Sequence, residues 1–126
     1  MRKVYVFFLV LVASGVTFGC AAPKKMYYWG EYSNSIYSCK KDATEENLLK
    51  HRQVLETIIK ESHEKSLRVP PGVYAELGYI CFRQNKNDDA VRYFDLESKT
   101  YPEAGILMQR LIQAAKAKDK EKDNWQ

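Results

Sequence analysis

Two Ser-x-x-Lys strings occur in the chain, Ser38 to Lys41 and Ser62 to Lys65. On a helix that spacing sets a lysine beside a serine hydroxyl, the arrangement by which penicillin-binding enzymes activate a nucleophile. Those enzymes need a far larger fold and a Lys-Thr-Gly element, and a chain of 126 residues without that tripeptide offers neither. His63-Glu64 begins like the helix of a zinc protease, but Leu67 stands where the second histidine belongs. His51 precedes His63 by twelve residues, about 120° around an ideal helix. The two therefore cannot share a ligand, and both are expected on the solvated surface. Cys39 and Cys81 could pair in an oxidising compartment, or serve as two small half-buried apolar side chains. No Cys-x-x-Cys or histidine-bearing spacing completes a metal site. The residues that could do chemistry thus assemble into no catalytic constellation, and neither a cofactor, a metal nor a small-molecule substrate is expected.

The amino terminus carries a different kind of signal. Arg2 and Lys3 are followed by an apolar run from Val4 to Val12, then Ala13-Ser14-Gly15 and Val16-Thr17-Phe18-Gly19-Cys20. A basic start, an apolar core and small residues at the cut are the order of a secretory signal. The run is shorter than the roughly 18–20 residues of a spanning helix. The pattern resembles a bacterial lipoprotein signal, in which Cys20 is acylated on sulfur and becomes the first residue of the mature chain. Thr17 departs from the leucine usual at that position, whereas Gly19 and Cys20 conform. Ala21 stands where an aspartate would hold such a protein at the inner membrane, so the resemblance implies the periplasmic face of the outer membrane. Each acyl CH₂ buried in lipid contributes about 0.8 kcal/mol, so several chains together anchor firmly.

Export changes how composition is read. Removing residues 1–19 takes away two basic residues and no acidic one, so a formal charge of +4 becomes +2 over 107 residues. That length suits one domain with a modest core. No basic stripe interleaved with aromatics remains, and nucleic acid is not expected as a partner.

The elements follow from spacing. Residues 20–27 form a short tether around Pro23 and Lys24-Lys25, and an aromatic cluster succeeds it: Tyr27, Tyr28, Trp29, Tyr32 and Tyr37. Tyr28, Trp29 and Tyr32 could anchor a protein partner, since tryptophan and tyrosine dominate binding hot spots, or could cover the apolar side of the first helices. A short helix is expected between Gly30 and Lys41. Thr44 is a good N-cap for a long helix running to about Lys65, with Leu48, Leu55, Ile58, Ile59 and Ser62 on one face. Pro70-Pro71 then opens a further helix, Gln84 to Asn87 form a polar turn, and Tyr101 to Lys116 read as a last amphipathic helix. Residues 117–126 form a charged tail, fraying or disordered.

Between Pro71 and Ala104, six residues stand at the offsets of a tetratricopeptide repeat: Tyr74, Leu77, Gly78, Ala90, Phe94 and Pro102. Cys81 and Glu97 depart from that pattern. A glycine inside a helix costs about 1 kcal/mol against alanine, so Gly78 is expected where the second helix comes close, at Ala90. The chain is therefore expected to be all-α, four to five helices in tetratricopeptide-like antiparallel hairpins over residues 28–116. Tyr27 to Tyr32 (YYWGEY) and Arg68 to Tyr79 (RVPPGVYAELGY) carry a wider resemblance, to a family of small bacterial lipoproteins with a domain of unknown function. That resemblance extends to about Ile112 and implies membership of an envelope complex, with a curli-export-channel-type lipoprotein as a partner. The expected function is a lipid-anchored protein–protein interaction module, the alternative an accessory activator of a peptidoglycan-synthesising enzyme.

Overall fold

The computed structural model describes residues 24–123, so the expected signal segment, Cys20 and the Trp125-Gln126 end lie outside the described residues. The chain forms α1 (Tyr32–Lys41), α2 (Glu45–Glu64), α3 (Val73–Arg83), α4 (Asn87–Thr100), a 3-10 turn (Pro102–Ala104) and α5 (Gly105–Asp123). Among the described residues there is no strand, and the molecule is all-α as expected.

Local chemistry sets the helix ends. Thr44 Oγ1 accepts a hydrogen bond from the Asn47 N–H at 3.2 Å, and Glu45 and Glu46 occupy the positive first turn of α2. At its other end the chain reverses through Ser66, at φ 51°, with Ser66 N–H donating to His63 O and Leu67 N–H to Ser62 O. This paired closure satisfies carbonyls that the helix leaves open. Asn85, at φ 60°, repeats it after α3, with Asn85 N–H donating to Phe82 O and Lys86 N–H to Cys81 O.

The start of α3 is capped from a distance. Gly72 adopts φ 88°, a conformation costly for other residues, and its N–H donates to Glu97 Oε1 at 2.7 Å. The Ala75 N–H donates to Glu97 Oε2 at 3.3 Å. Glu97 is 3 % exposed. Its departure from the repeat pattern thus has a structural reason: the carboxylate on α4 satisfies open N–H groups of α3, where negative charge also suits the helix dipole.

Successive helices run antiparallel. Cys39 meets Asn47 and Ser35 meets His51 across α1 and α2; His63 meets Tyr74 and Arg52 meets Gln84 across α2 and α3. Across α3 and α4, Gly78 faces Tyr93 and Phe94, and Ala75 faces Glu97. Two apolar clusters fill the stack. Leu55, Ile58, Val73, Tyr74, Leu77 and Ile80 join α2 to α3, while Cys81, Ala90, Phe94 and Met108 join α3, α4 and α5.

The structure revises several expectations. A Cβ on Gly78 would lie 2.8 Å from the Phe94 ring and 3.2 Å from Tyr93 Cβ, so it is the Phe94 ring, not Ala90, that needs the missing side chain. Tyr101 falls just beyond α4, buried, its hydroxyl donating to Val69 O at 2.7 Å and its ring under the Arg68 guanidinium at 4.2 Å. Pro102 opens the 3-10 turn that leads into α5. The helix α5 continues to Asp123, well into the stretch read as tail, because Ala, Lys and Glu are strong helix formers.

Candidate functional site

Both α1 and α3 rest on α2, and side chains from all three helices pin the stack together at Glu76. The Tyr32 hydroxyl donates to Glu76 Oε2 at 3.0 Å, and His51 Nε2 lies 3.0 Å from Glu76 Oε1. A carboxylate only accepts, so the Nε2 nitrogen carries the hydrogen and Nδ1 faces Ser35 Oγ at 2.8 Å. The Tyr32 and His51 rings sit 5.7 Å apart. Burial, then the charge and hydrogen bond of Glu76, push the Tyr32 phenol up to about 12.

Beyond this pin the first and third helices diverge, leaving a groove of about 580 Å³. Ile36 and Cys39 form one wall, Leu48 and His51 the floor, Tyr79 and Ile80 the other wall. Arg83 and Glu45 also border it. Leu48, Leu49 and Tyr79 remain 37, 47 and 49 % exposed there, an apolar lining open to solvent.

His51 is 2 % exposed, which corrects its placement at the solvated surface. The signal was present: Leu48, His51, Leu55, Ile58 and Ser62 continue one helical stripe. Polar identity argued against burial, and only partners from α1 and α3 make that burial affordable. His63 does lie at the surface, 3.3 Å from the Tyr74 hydroxyl. Neither Ser-x-x-Lys string forms a reactive pair. Ser38 Oγ donates to Asn34 O, Ser62 is buried in the core, and Lys65 pairs with Glu61.

Cys39 and Cys81 are both free thiols, so the disulfide held open from sequence is not formed. The Cys39 Sγ sits 3.1 Å from Asn47 O beside the groove, whereas Cys81 is fully buried in the second cluster. Burial, joined by the charge of Glu76, raises the Cys39 thiol; burial is also the main cause raising Cys81.

The aromatic segment divides. Tyr28 and Tyr32 are half-buried against the first apolar cluster, with the Lys65 ammonium 4.8 Å above the Tyr28 ring. Trp29 stays 42 % exposed, edge-on to Tyr32 at 5.2 Å and to Tyr27 at 6.4 Å. The six repeat residues also divide: Tyr74, Leu77, Gly78, Ala90 and Phe94 are buried together along α3 and α4, and Pro102 is exposed.

A family described as a domain of unknown function, DUF4810, matches residues 26–111. The chain belongs to the DUF4810 family. No curated protein and no solved structure matches it. The DUF4810 region begins just before the aromatic segment and ends within α5. It therefore contains all three groove helices, the Tyr32–His51–Glu76 pin and the Glu97 cap. Among the described residues, no helix is long and apolar enough to cross a membrane.

Proposed function

We propose that this DUF4810 protein is a lipid-anchored subunit of an outer-membrane lipoprotein complex, and that it docks another envelope protein in the groove between α1 and α3. The single observation that carries the docking reading is the groove itself, in which Leu48, Leu49 and Tyr79 keep apolar surface in solvent beside a rigid polar pin. A trough walled by two helices and floored by a third suits a helical segment laid in by its apolar face. The tetratricopeptide-like spacing of Tyr74 to Phe94 supports the same role, since stacked helical repeats present such surfaces for binding. The basic start, the apolar run and the Gly19-Cys20 pair support the lipid anchor. Trp29 adds an exposed aromatic at the tether end of the domain, available to the same partner. A curli-export-channel-type lipoprotein is the partner that the family resemblance suggests. The protein carries no chemistry of its own in this reading.

A photo-crosslinking amino acid at Leu49, introduced into the full chain in intact cells, tests the docking surface. The expected result is a discrete adduct with an envelope protein, lost when the same group is placed at exposed Lys60 on the opposite part of α2. Equal adducts from both positions, or none from Leu49, would overturn the groove as the docking site.

A further inference from the structure

Two surfaces of the helix stack keep apolar side chains in solvent. One is the groove, with Leu48, Leu49 and Tyr79. The other is the start of α5, which turns Ile106 and Leu107 outward, 74 and 58 % exposed, while Met108 is buried. The first is a trough and the second a helical ridge.

Their charges are complementary too. Arg110 follows Ile106 and Leu107 on α5, and Glu103 stands in the 3-10 turn just before them, so the apolar pair has an acid on one side in sequence and a base on the other. The groove is bordered by Arg83 and Glu45. None of these four charged groups takes part in an ion pair within the chain, among the described residues. Glu76, the groove's other acid, is already engaged by Tyr32 and His51.

From this match we infer that the groove receives the α5 ridge of a second copy of this chain, with Glu103 against Arg83 and Arg110 against Glu45. The inference rests on the groove being the docking surface and names its occupant. Because trough and ridge are different patches, the contact is head-to-tail. Each copy leaves one trough and one ridge free, so assembly continues into a ring or an open filament.

Sedimentation of the full chain, extracted from membranes in detergent, tests this through exchanged charges. The wild type is expected to gain mass with concentration. Arg83→Glu and Glu103→Arg, both at exposed sites, should each weaken association by about tenfold or more, through like charges set face to face. The double variant Arg83→Glu/Glu103→Arg should recover association, and so should an equimolar mixture of the two single variants. Helical circular dichroism verifies that every variant folds. A wild type that stays monomeric at all concentrations overturns the inference, as do single variants that associate unchanged or a double variant no better than the singles. A monomer whose Leu49 still crosslinks to a different envelope protein overturns the second copy but leaves the docking reading standing. A monomer with no such adduct removes both.

Discussion

Tyr32 ties the tether end of the domain to Glu76, and its phenol gives the fold an alkaline limit. In the unfolded chain a tyrosine loses its proton near pH 10, whereas folded Tyr32 holds it to about 12. Between those values the unfolded state is favoured by deprotonation, so the contribution is intact below about pH 10 and is lost as pH rises toward 12. Burial raises Tyr74, Tyr93 and Tyr101 in the same direction, so the slope has several sources. Urea midpoints measured from about pH 9 to about 12 should fall with pH, and Tyr32→Phe should flatten that fall in part. An unchanged slope in the variant would remove Tyr32 from the account. Tyr32 is in the sequence as one aromatic among several, and nothing in its neighbours marks it as the one facing a carboxylate 44 residues away. His51 shows the same limit. Its place on an apolar stripe is legible, but the carboxylate that makes burial tolerable comes from α3 and the hydroxyl from α1.

At the scale of elements, the closest fit is where α3 crosses α4. Adding a methyl at Gly78 brings it within 2.8 Å of two Phe94 ring carbons. Alanine regains about 1 kcal/mol of helix propensity, but overpacking a filled core costs about 1–3 kcal/mol. Gly78→Ala is therefore expected to lower stability by up to about 2 kcal/mol in urea unfolding. Combining it with Phe94→Leu should cost less than the sum of the two single changes, since the ring that the methyl strikes is gone. Strict additivity would place the strain elsewhere. The glycine, the small alanine and the phenylalanine were readable from their offsets. Which of them fills the space above Gly78 was not, because that depends on the rotation of α4 about its axis.

At the scale of the whole molecule, the proposed reading joins an exported, acylated start to the helical stack. Cys20→Ser is expected to release the protein into the soluble periplasm or to leave an uncleaved precursor, read by fractionation and by mass of the amino-terminal peptide. Unaltered membrane retention of a processed chain would count against acylation at Cys20. The free Cys39 and Cys81 thiols fit this picture without a disulfide, one resting on a carbonyl and the other packed as a small apolar group. Among the described residues, five helices in sequential contact keep most pairings local, so the fold depends little on distant closure.

By itself the sequence determined the helices, the Thr44 cap, the polar turn after Gln84 and the hairpin offsets, because these depend on residues three or four positions apart. Its basic, apolar and Gly-Cys start is likewise a local pattern, and the proposed lipid anchor rests on it without any folding. The tertiary structure alone decided that a histidine would be buried, that Glu97 would cap a helix 22 residues earlier, and that α1 and α3 would part into a groove. Each of these depends on the angle and rotation at which helices meet. Those are set by packing across the whole core, and no short stretch of sequence contains them.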